Sequence, residues 1–227
     1  MEYFDLISKR QSIRKYKDET ISRSDIAQIL DAARISPSGK NLQNWFFFVL
    51  DHKEIIEALC GVIAAKNEKI SNELAKKDEE AGARFRKFCK NFTLFIKEAP
   101  VVILTFGKDY LPSGYQELKQ CNASVEELNY LAYKPNPGMQ NIGAAMEHMA
   151  LAATDLGYGS CWLTSANYAG EEIKDLMKEK TGIDKEDYFF TCMMSLGIPA
   201  EGEHKSPKRK DLEEIAFFVN GGYREFE

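Results

Sequence analysis

A chain of 227 residues, 44% hydrophobic and 29% charged, has enough apolar material for one sizeable core and the composition of an ordinary globular protein. Its net charge of −5 argues against a protein that grips nucleic acid through an overall basic surface. The opening residues, MEYFDLISKR, form no apolar signal segment, and runs such as WFFFVL (45–50) are far too short to span a bilayer, so a cytoplasmic protein with no membrane partner is expected.

Phe4 and Ile7, one helical step apart, predict a short helix over residues 2–9. RQSIRKY (10–16) follows. Arg10, Ser12 and Arg14 alternate, so on an extended segment they point the same way. Two forked guanidiniums around a hydroxyl suit a phosphate or a polyhydroxyl chain. The plainer reading, a solvated basic turn, is the commoner outcome for a short basic run taken alone. Ser22, with Asp25 three residues on, starts a second helix with Ile26, Ile29, Leu30 and Ala33 on its apolar face; it ends before Pro37.

RISPSGKNLQNW (34–45) is a loop broken by proline and glycine that carries Ser38, Asn41 and Gln43. Asn41 and Gln43 each offer a donor and an acceptor, which suits the edge of a heterocycle with alternating carbonyls and ring N–H groups. The alternative is a capped loop in which Ser38 and Asn41 bond only their own backbone. Trp45 to Leu50 predicts a buried central strand and residues 55–65 a helix. Residues 66–98 are rich in Lys and Glu, with Phe85, Phe88, Phe92 and Phe95 on one helical face. That face either packs on the core, the favoured reading, or covers a pocket as a lid.

Pro100 precedes a second buried strand, VVILTFG (101–107). Residues 108–137, with Tyr110, Tyr115, Tyr130 and Tyr133, read as a long irregular segment of the kind that borders binding sites. Met139, Ile142, Met146, Met149, Ala153 and Leu156 then step along the strongest helix. Ala144, Ala145, Ala150, Leu151 and Ala152 make much of its other face apolar, which predicts a central helix or a subunit interface, with Gly157 as its stop. GYGSCWLT (157–164) leads to a helix through Ile173, Leu176 and Met177 that ends near Gly182. YFFTCMMSLG (188–197) is the third predicted strand, closed by Gly197 and Pro199. The tail, KSPKRKDLEEIAFF (205–218), adds a cationic cluster of Lys208, Arg209 and Lys210, a weak signal alone. Strands scattered between long helices, without regular βαβ units, predict an α+β layer fold; no GxGxxG or Walker A loop occurs.

Five widely spaced cysteines, Cys60, Cys89, Cys121, Cys161 and Cys192, form no CxxC pair, and His52, His148 and His204 are far apart. A disulfide framework, an iron–sulfur module or a metal centre therefore has no local support. Cys161, beside Trp162 and without a histidine in view, reads as a buried structural thiol.

Four stretches in register resemble the FMN-dependent nitroreductase family. They are Arg-x-Ser-x-Arg-x-aromatic (Arg10, Ser12, Arg14, Tyr16) and Pro-Ser-x-x-Asn-x-Gln-x-Trp (Pro37, Ser38, Asn41, Gln43, Trp45). The alanine-rich helix running into GYGSCWLT is the third, and LGIPAE (196–201) with PKRKDLEEI (207–215) is the fourth. The resemblance spans almost the whole chain. It implies a three-layer fold, with a central, mostly antiparallel sheet flanked by helices, in an intertwined homodimer holding FMN at the interface. Residues 1–227 would form one such domain, with a helical or irregular excursion at about 66–137 as a candidate lid and substrate loop. Arg10, Ser12 and Arg14 would bind the phosphate, the ribityl chain or the ring edge, with Gln11 in the same motif and Arg209 also reaching the phosphate. Pro37, Ser38, Asn41 and Gln43 would come from the second subunit, and the backbone of Gly159, Ser160, Cys161 and Trp162 would border the isoalloxazine.

Two residues depart from the family pattern. Asn44 stands where proline is usual, which predicts a looser loop, and Gln11 where arginine or histidine is frequent. The implied activity is a two-step relay. NADH or NADPH reduces the flavin at N5, and the flavin reduces a small acceptor such as a nitroaromatic, a quinone or an enone. The cofactor would carry the chemistry, so no acid–base pair is required. The other readings are a flavin-binding or storage protein, a family branch with flavin-fragmenting or dehalogenating chemistry, and a phosphate-ligand or nucleic-acid module, which the acidic charge disfavours.

Overall fold

The structure, a computed structural model, describes residues 2–202, 206–217 and 219; His204 and the Lys205 and Phe218 ends of the basic tail lie outside them. The two N-terminal helices form where their signals place them. α1 spans Tyr3–Lys9, and α2 spans Arg23–Arg34, with the Ser22 hydroxyl accepting the Asp25 N–H at 3.1 Å. Four strands follow along the chain: β1 (Trp45–Leu50), β2 (Val101–Lys108), β3 (Gly159–Leu163) and β4 (Tyr188–Gly197). They form one sheet in the order β1-β2-β4-β3 with every neighbouring pair antiparallel. β1, β2 and β4 are the three predicted strands, but β1 stands at one edge of the sheet and is only partly buried, where a buried central strand was expected; its apolar run reflects partial cover rather than a central place. β3 is a correction, since Gly159, Ser160 and Cys161 carry little strand propensity and gain their conformation by pairing with β4.

The remaining long helices are α3 (Lys53–Ala75), α4 (Glu79–Phe92), α7 (Pro137–Asp155) and α8 (Gly170–Thr181), with the short α5 (Tyr115–Gln120) and α6 (Val125–Tyr133) between β2 and α7. β2 shows how the layers are built. Val101 and Ile103 face α2 and α7, packing with Ile29, Ile142, Met146 and Met149. Val102, Leu104 and Phe106 face α3 and α8, packing with Ile56, Leu59, Ile63 and Ile173. Period-two alternation on a strand covered on both faces thus produces helix, sheet and helix layers. Each fully buried Met or Ile in these layers contributes about 1.5–3 kcal/mol of transfer free energy.

The excursion is more regular than the sequence suggests. α3 runs ten residues past its predicted end at 65, and the chain turns back at Asp78, whose carboxylate caps α4 by accepting the Ala81 N–H at 2.9 Å. The aromatic stripe splits. Phe85 packs on Tyr168 with ring centroids 5.2 Å apart and Phe95 joins the core, while Phe88 and Phe92 stack on each other in solvent. Residues 108–137 are not irregular as expected. α5 and α6 occupy half of them, α6 being started by a capping box between Ser124 and Glu127. α7 opens with Pro137 in its first turn and the Asn136 side chain accepting the Met139 N–H.

Candidate functional site

The arginine motif and residues 159–162 meet at the outer edge of β3, whereas the loop of Pro37 to Gln43 is tied to the end of β2 and the start of α7. Residues 10–17 run along that edge. Ser12 pairs with Ser160 as a parallel bridge, and the Ile13 N–H donates to the Ser160 carbonyl at 2.8 Å. Farther on, Tyr16 pairs with Pro199, the Lys17 N–H donates to the Ile198 carbonyl, and the Ala200 N–H donates to the Lys15 carbonyl. Two glycines make this approach possible. Gly159 and Gly197 are register partners on β3 and β4. A Cβ at Gly159 would stand 2.8 Å from three Ile13 carbons, and one at Gly197 would stand 2.6 Å from the Tyr16 ring. The pair forms a notch that Ile13 and Tyr16 fill.

With Ile13 turned in and 4% exposed, Ser12 and Arg14 turn out to solvent and Arg10 is half-buried. This is the alternation the sequence predicts. Arg10 pairs through Nε with Glu147 of α7 at 3.5 Å, and no carboxylate among the described residues pairs with Arg14. Tyr16 closes the inner side, its hydroxyl 2.6 Å from the Ile13 carbonyl and 2.7 Å from Ser195 Oγ. Burial drives the Tyr16 hydroxyl's pKa far above the ordinary tyrosine value, with the Ser195 contact opposing it. Burial also raises the Cys161 thiol, against the pull of the nearby Arg14 guanidinium and Ser12 hydroxyl. Cys161 is 2% exposed and stays a protonated, structural thiol at neutral pH. Its neighbour Trp162 is exposed on β3 and lies against Gly143 of α7.

The loop after α2 forms the second part. Lys40, Asn41 and Gln43 all have left-handed backbones, with φ of 56°, 52° and 44°. Ser38 Oγ accepts the Gln43 N–H at 3.0 Å, as the capped-loop reading predicts. Asn41 and Gln43 do otherwise. Gln43 Nε2 donates to Asn41 Oδ1 at 3.2 Å, and both side chains stay exposed. That bond leaves Asn41 Nδ2 as a donor and Gln43 Oε1 as an acceptor, an amide-like edge. Pro37 is exposed at the loop's entrance.

The expected loosening at Asn44 is overturned. Asn44 is 4% exposed, and its Nδ2 donates to the carbonyls of Lys108 (3.2 Å) and Gly138 (3.3 Å). Its Oδ1 accepts from Asn141 Nδ2 at 2.8 Å, and Asn141 Oδ1 accepts the Gly39 N–H at 3.0 Å. Sequence reasoning missed Asn141, although with Gln140 it is one of two amides on a mostly apolar helix. It missed Asn44 because that position was judged only by the proline it lacks.

The tail meets the site through Gln11, whose Oε1 accepts from the Ser206 hydroxyl at 3.4 Å; Arg209 is exposed three residues farther on. His148 turns to the Ala32 carbonyl, and His52 is exposed beside Asp51. A concavity of about 300 Å³ lies elsewhere, between Tyr16, Asp51, Lys97 and Pro100.

The sequence matches the nitroreductase family over residues 7–198. A putative NADH dehydrogenase/NAD(P)H nitroreductase of Archaeoglobus fulgidus is 30% identical over 200 residues, 88% of this chain and 87% of that protein. A BluB-like flavoprotein from Clostridium difficile 630 superposes with a TM-score of 0.92 at 47% identity, covering 96% of this chain and 99% of that one. An FMN-bound nitroreductase from Bacteroides fragilis shares the fold, with a TM-score of 0.65 at 22% identity over 96% of this chain and 99% of that one. Residues 66–137 are nearly a third of the chain, so the 0.92 superposition includes the excursion.

Proposed function

The chain belongs to the nitroreductase family, and on that premise we propose that it is a homodimeric, FMN-dependent oxidoreductase that draws on NADH or NADPH and reduces a small acceptor such as a nitroaromatic, a quinone or an enone. The observation that carries the reading is the notch of Gly159 and Gly197, which seats residues 10–17 and turns Ser12 and Arg14 outward beside Arg10. The donor set fits the cofactor. Two guanidiniums and a hydroxyl match a phosphate and a ribityl chain, and the free amide edge of Asn41 and Gln43 matches a ring edge of alternating carbonyls and N–H groups.

When bound, FMN supplies the redox chemistry, accepting a hydride at N5 and returning it or its electrons to the acceptor. The protein's residues bind and orient. Arg10 and Ser12 hold the phosphate and ribityl end, helped by Arg209. Arg14, which has no carboxylate partner among the described residues, keeps a positive charge where negative charge develops on the ring edge. The backbone of Gly159 to Trp162 and Gln11 border the same space. Pro37, Ser38, Asn41 and Gln43 of the second subunit complete it.

The dimer is supported by large apolar side chains exposed beside each site element: Phe4 before the arginine segment, Ile35 and Leu42 on either side of the loop, and Trp162 on β3. In this reading residues 1–227 work as one domain, with the excursion bordering the acceptor space. The enzyme is cytoplasmic; among the described residues no helix is long and apolar enough to cross a membrane.

Anaerobic titration of the FMN-loaded protein with NADH and with NADPH tests the proposal. Stoichiometric bleaching of the visible flavin band is expected. A protein that takes up no FMN overturns the reading. A flavin-binding protein without nicotinamide reductase activity is the second reading, favoured by the close superposition on a protein described as a BluB-like flavoprotein, a description that names no nicotinamide. Binding without bleaching points to it or to a family branch reduced by another partner.

A further inference from the structure

We propose that Asn141 and Asn44 are positioning residues, acting as one buried amide chain that fixes the backbone of residues 39–44 and so aims Asn41 and Gln43 at their ligand. Its consequence for FMN rests on the function proposed above; its structural core does not. Three consecutive facts carry it. First, the loop holds three non-glycine residues in the left-handed region, Lys40, Asn41 and Gln43, and neither a lysine nor a glutamine settles there on its own. Second, the loop is tied at both ends to one side chain. Asn141 Oδ1 takes the Gly39 N–H at 3.0 Å, and Asn141 Nδ2 reaches Asn44 Oδ1 at 2.8 Å. Third, that side chain is 7% exposed on α7, the helix packed across the sheet, so the loop's shape is referred to a helix whose neighbouring residues are buried in the core.

The chain of bonds has a direction. Asn44 Nδ2 faces two carbonyls, Lys108 and Gly138, which can only accept. Its oxygen must then face Asn141, whose nitrogen must donate and whose oxygen is left for the Gly39 N–H. Each amide has one consistent orientation. The same corner is sterically closed. A Cβ on Gly39 would stand 2.8 Å from the Tyr110 hydroxyl, and one on Gly138 would stand 3.0 Å from Tyr110 Cβ. Tyr110 thus packs closely against both Gly39 of the loop and Gly138 of α7. The exposed amides that would touch a ligand, Asn41 and Gln43, lie between the two tethers, and their side chains bond each other rather than the Asn44–Asn141 chain.

Directionality makes the test specific. Asn141→Asp has the size of the native side chain and still accepts from Gly39, but it sets an oxygen against Asn44 Oδ1. Asn141→Leu removes both bonds. Hydrogen exchange would be followed in the flavin-free full-length protein, and FMN affinity and the visible circular dichroism of bound FMN in the loaded protein. Both variants should exchange about tenfold faster at residues 39–44 while β2 and the C-terminal half of α7 keep their protection, because a buried partner is left unpaired. FMN should bind about tenfold or more weakly, with an altered dichroic band, and Asn44→Leu combined with Asn141→Leu should be no worse than the worse single change. Should Asn141→Leu fail to fold, the isosteric Asn141→Asp carries the test. Native exchange in the loop overturns the tether. Faster exchange with FMN affinity within about twofold and an unchanged dichroic band overturns the positioning role and leaves a structural bond only. If the native protein itself takes up no FMN, the proposed function falls, while the exchange measurement still decides the tether.

Discussion

The two parts of the candidate site are held by opposite means. Residues 10–17 lie on the sheet edge through main-chain bonds to residues 160, 198 and 200, and two missing side chains, at Gly159 and Gly197, let them in. Residues 36–44 leave the helix α2 and add side-chain bonds to their short main-chain turns: Ser38 on the Gln43 N–H, Asn141 on the Gly39 N–H, and Asn44 on two carbonyls. The first region separates support from chemistry, since the arginines that would bind a ligand carry none of the ladder. The second sets the two jobs on adjacent residues and keeps a strained backbone, with roughly 1–2 kcal/mol opposing each left-handed non-glycine residue.

Substitutions can break or sharpen that contrast. The largest effect is expected at the notch. Gly159→Val drives a Cβ into Ile13 and should lower stability by about 3 kcal/mol and abolish FMN uptake, read by thermal melting and flavin titration. Native-like uptake would show that the ladder tolerates displacement. Arg14→Ala comes next. It should weaken FMN binding by about 10–100-fold while stability changes by less than about 0.5 kcal/mol, because the side chain is exposed. Unchanged affinity would remove Arg14 from the site.

The third prediction concerns alkaline pH. The Tyr16 pKa is raised in the folded state, so its contribution is fully present below the unfolded value of about 10. Above that pH the unfolded chain loses the proton and the folded chain keeps it, and stability falls by up to about 1.4 kcal/mol per pH unit. Denaturant midpoints from pH 9 to 11.5 should show the slope, and Tyr16→Phe should reduce it without abolishing it, because burial raises Tyr168 and Cys60 in the same direction. The smallest effect lies in the loop. Lys40→Gly should raise stability by about 0.5–1 kcal/mol, since glycine accepts the left-handed backbone. A loss instead would mean that the lysine's place over the Tyr110 ring, 5.7 Å from its centroid, outweighs the strain.

What the sequence revealed follows the same divide. Periodicity located β1, β2 and β4, the caps of α2 and α8, and the outward alternation of the arginine segment, because each is a local pattern. β3 escaped because its pairing with β4, not its composition, makes it a strand. The aromatic stripe was read as one face, yet the line of α4 turned to α3 runs through Gly82, Phe85 and Cys89. Gly82 sits so close to the Ser71 carbonyl that a Cβ would come within 2.6 Å, and this contact rotates Phe88 and Phe92 outward. The amide pair of Asn44 and Asn141 bridges residues 97 apart, and no window of sequence contains both.

The notch also sets an order of events in folding. Tyr16 meets Ser195, a partner 179 residues away, and Ile13 rests on a strand that pairs only with the last strand of the sheet. A chain emerging from the ribosome carries its arginines first but has nowhere to lay them until β4 has been made and paired. Contacts of such long sequence separation form late and slowly. The arginine clamp is therefore a part of the site that assembles only once the chain has passed residue 200, and products truncated before β4 lack it even when their early helices have formed.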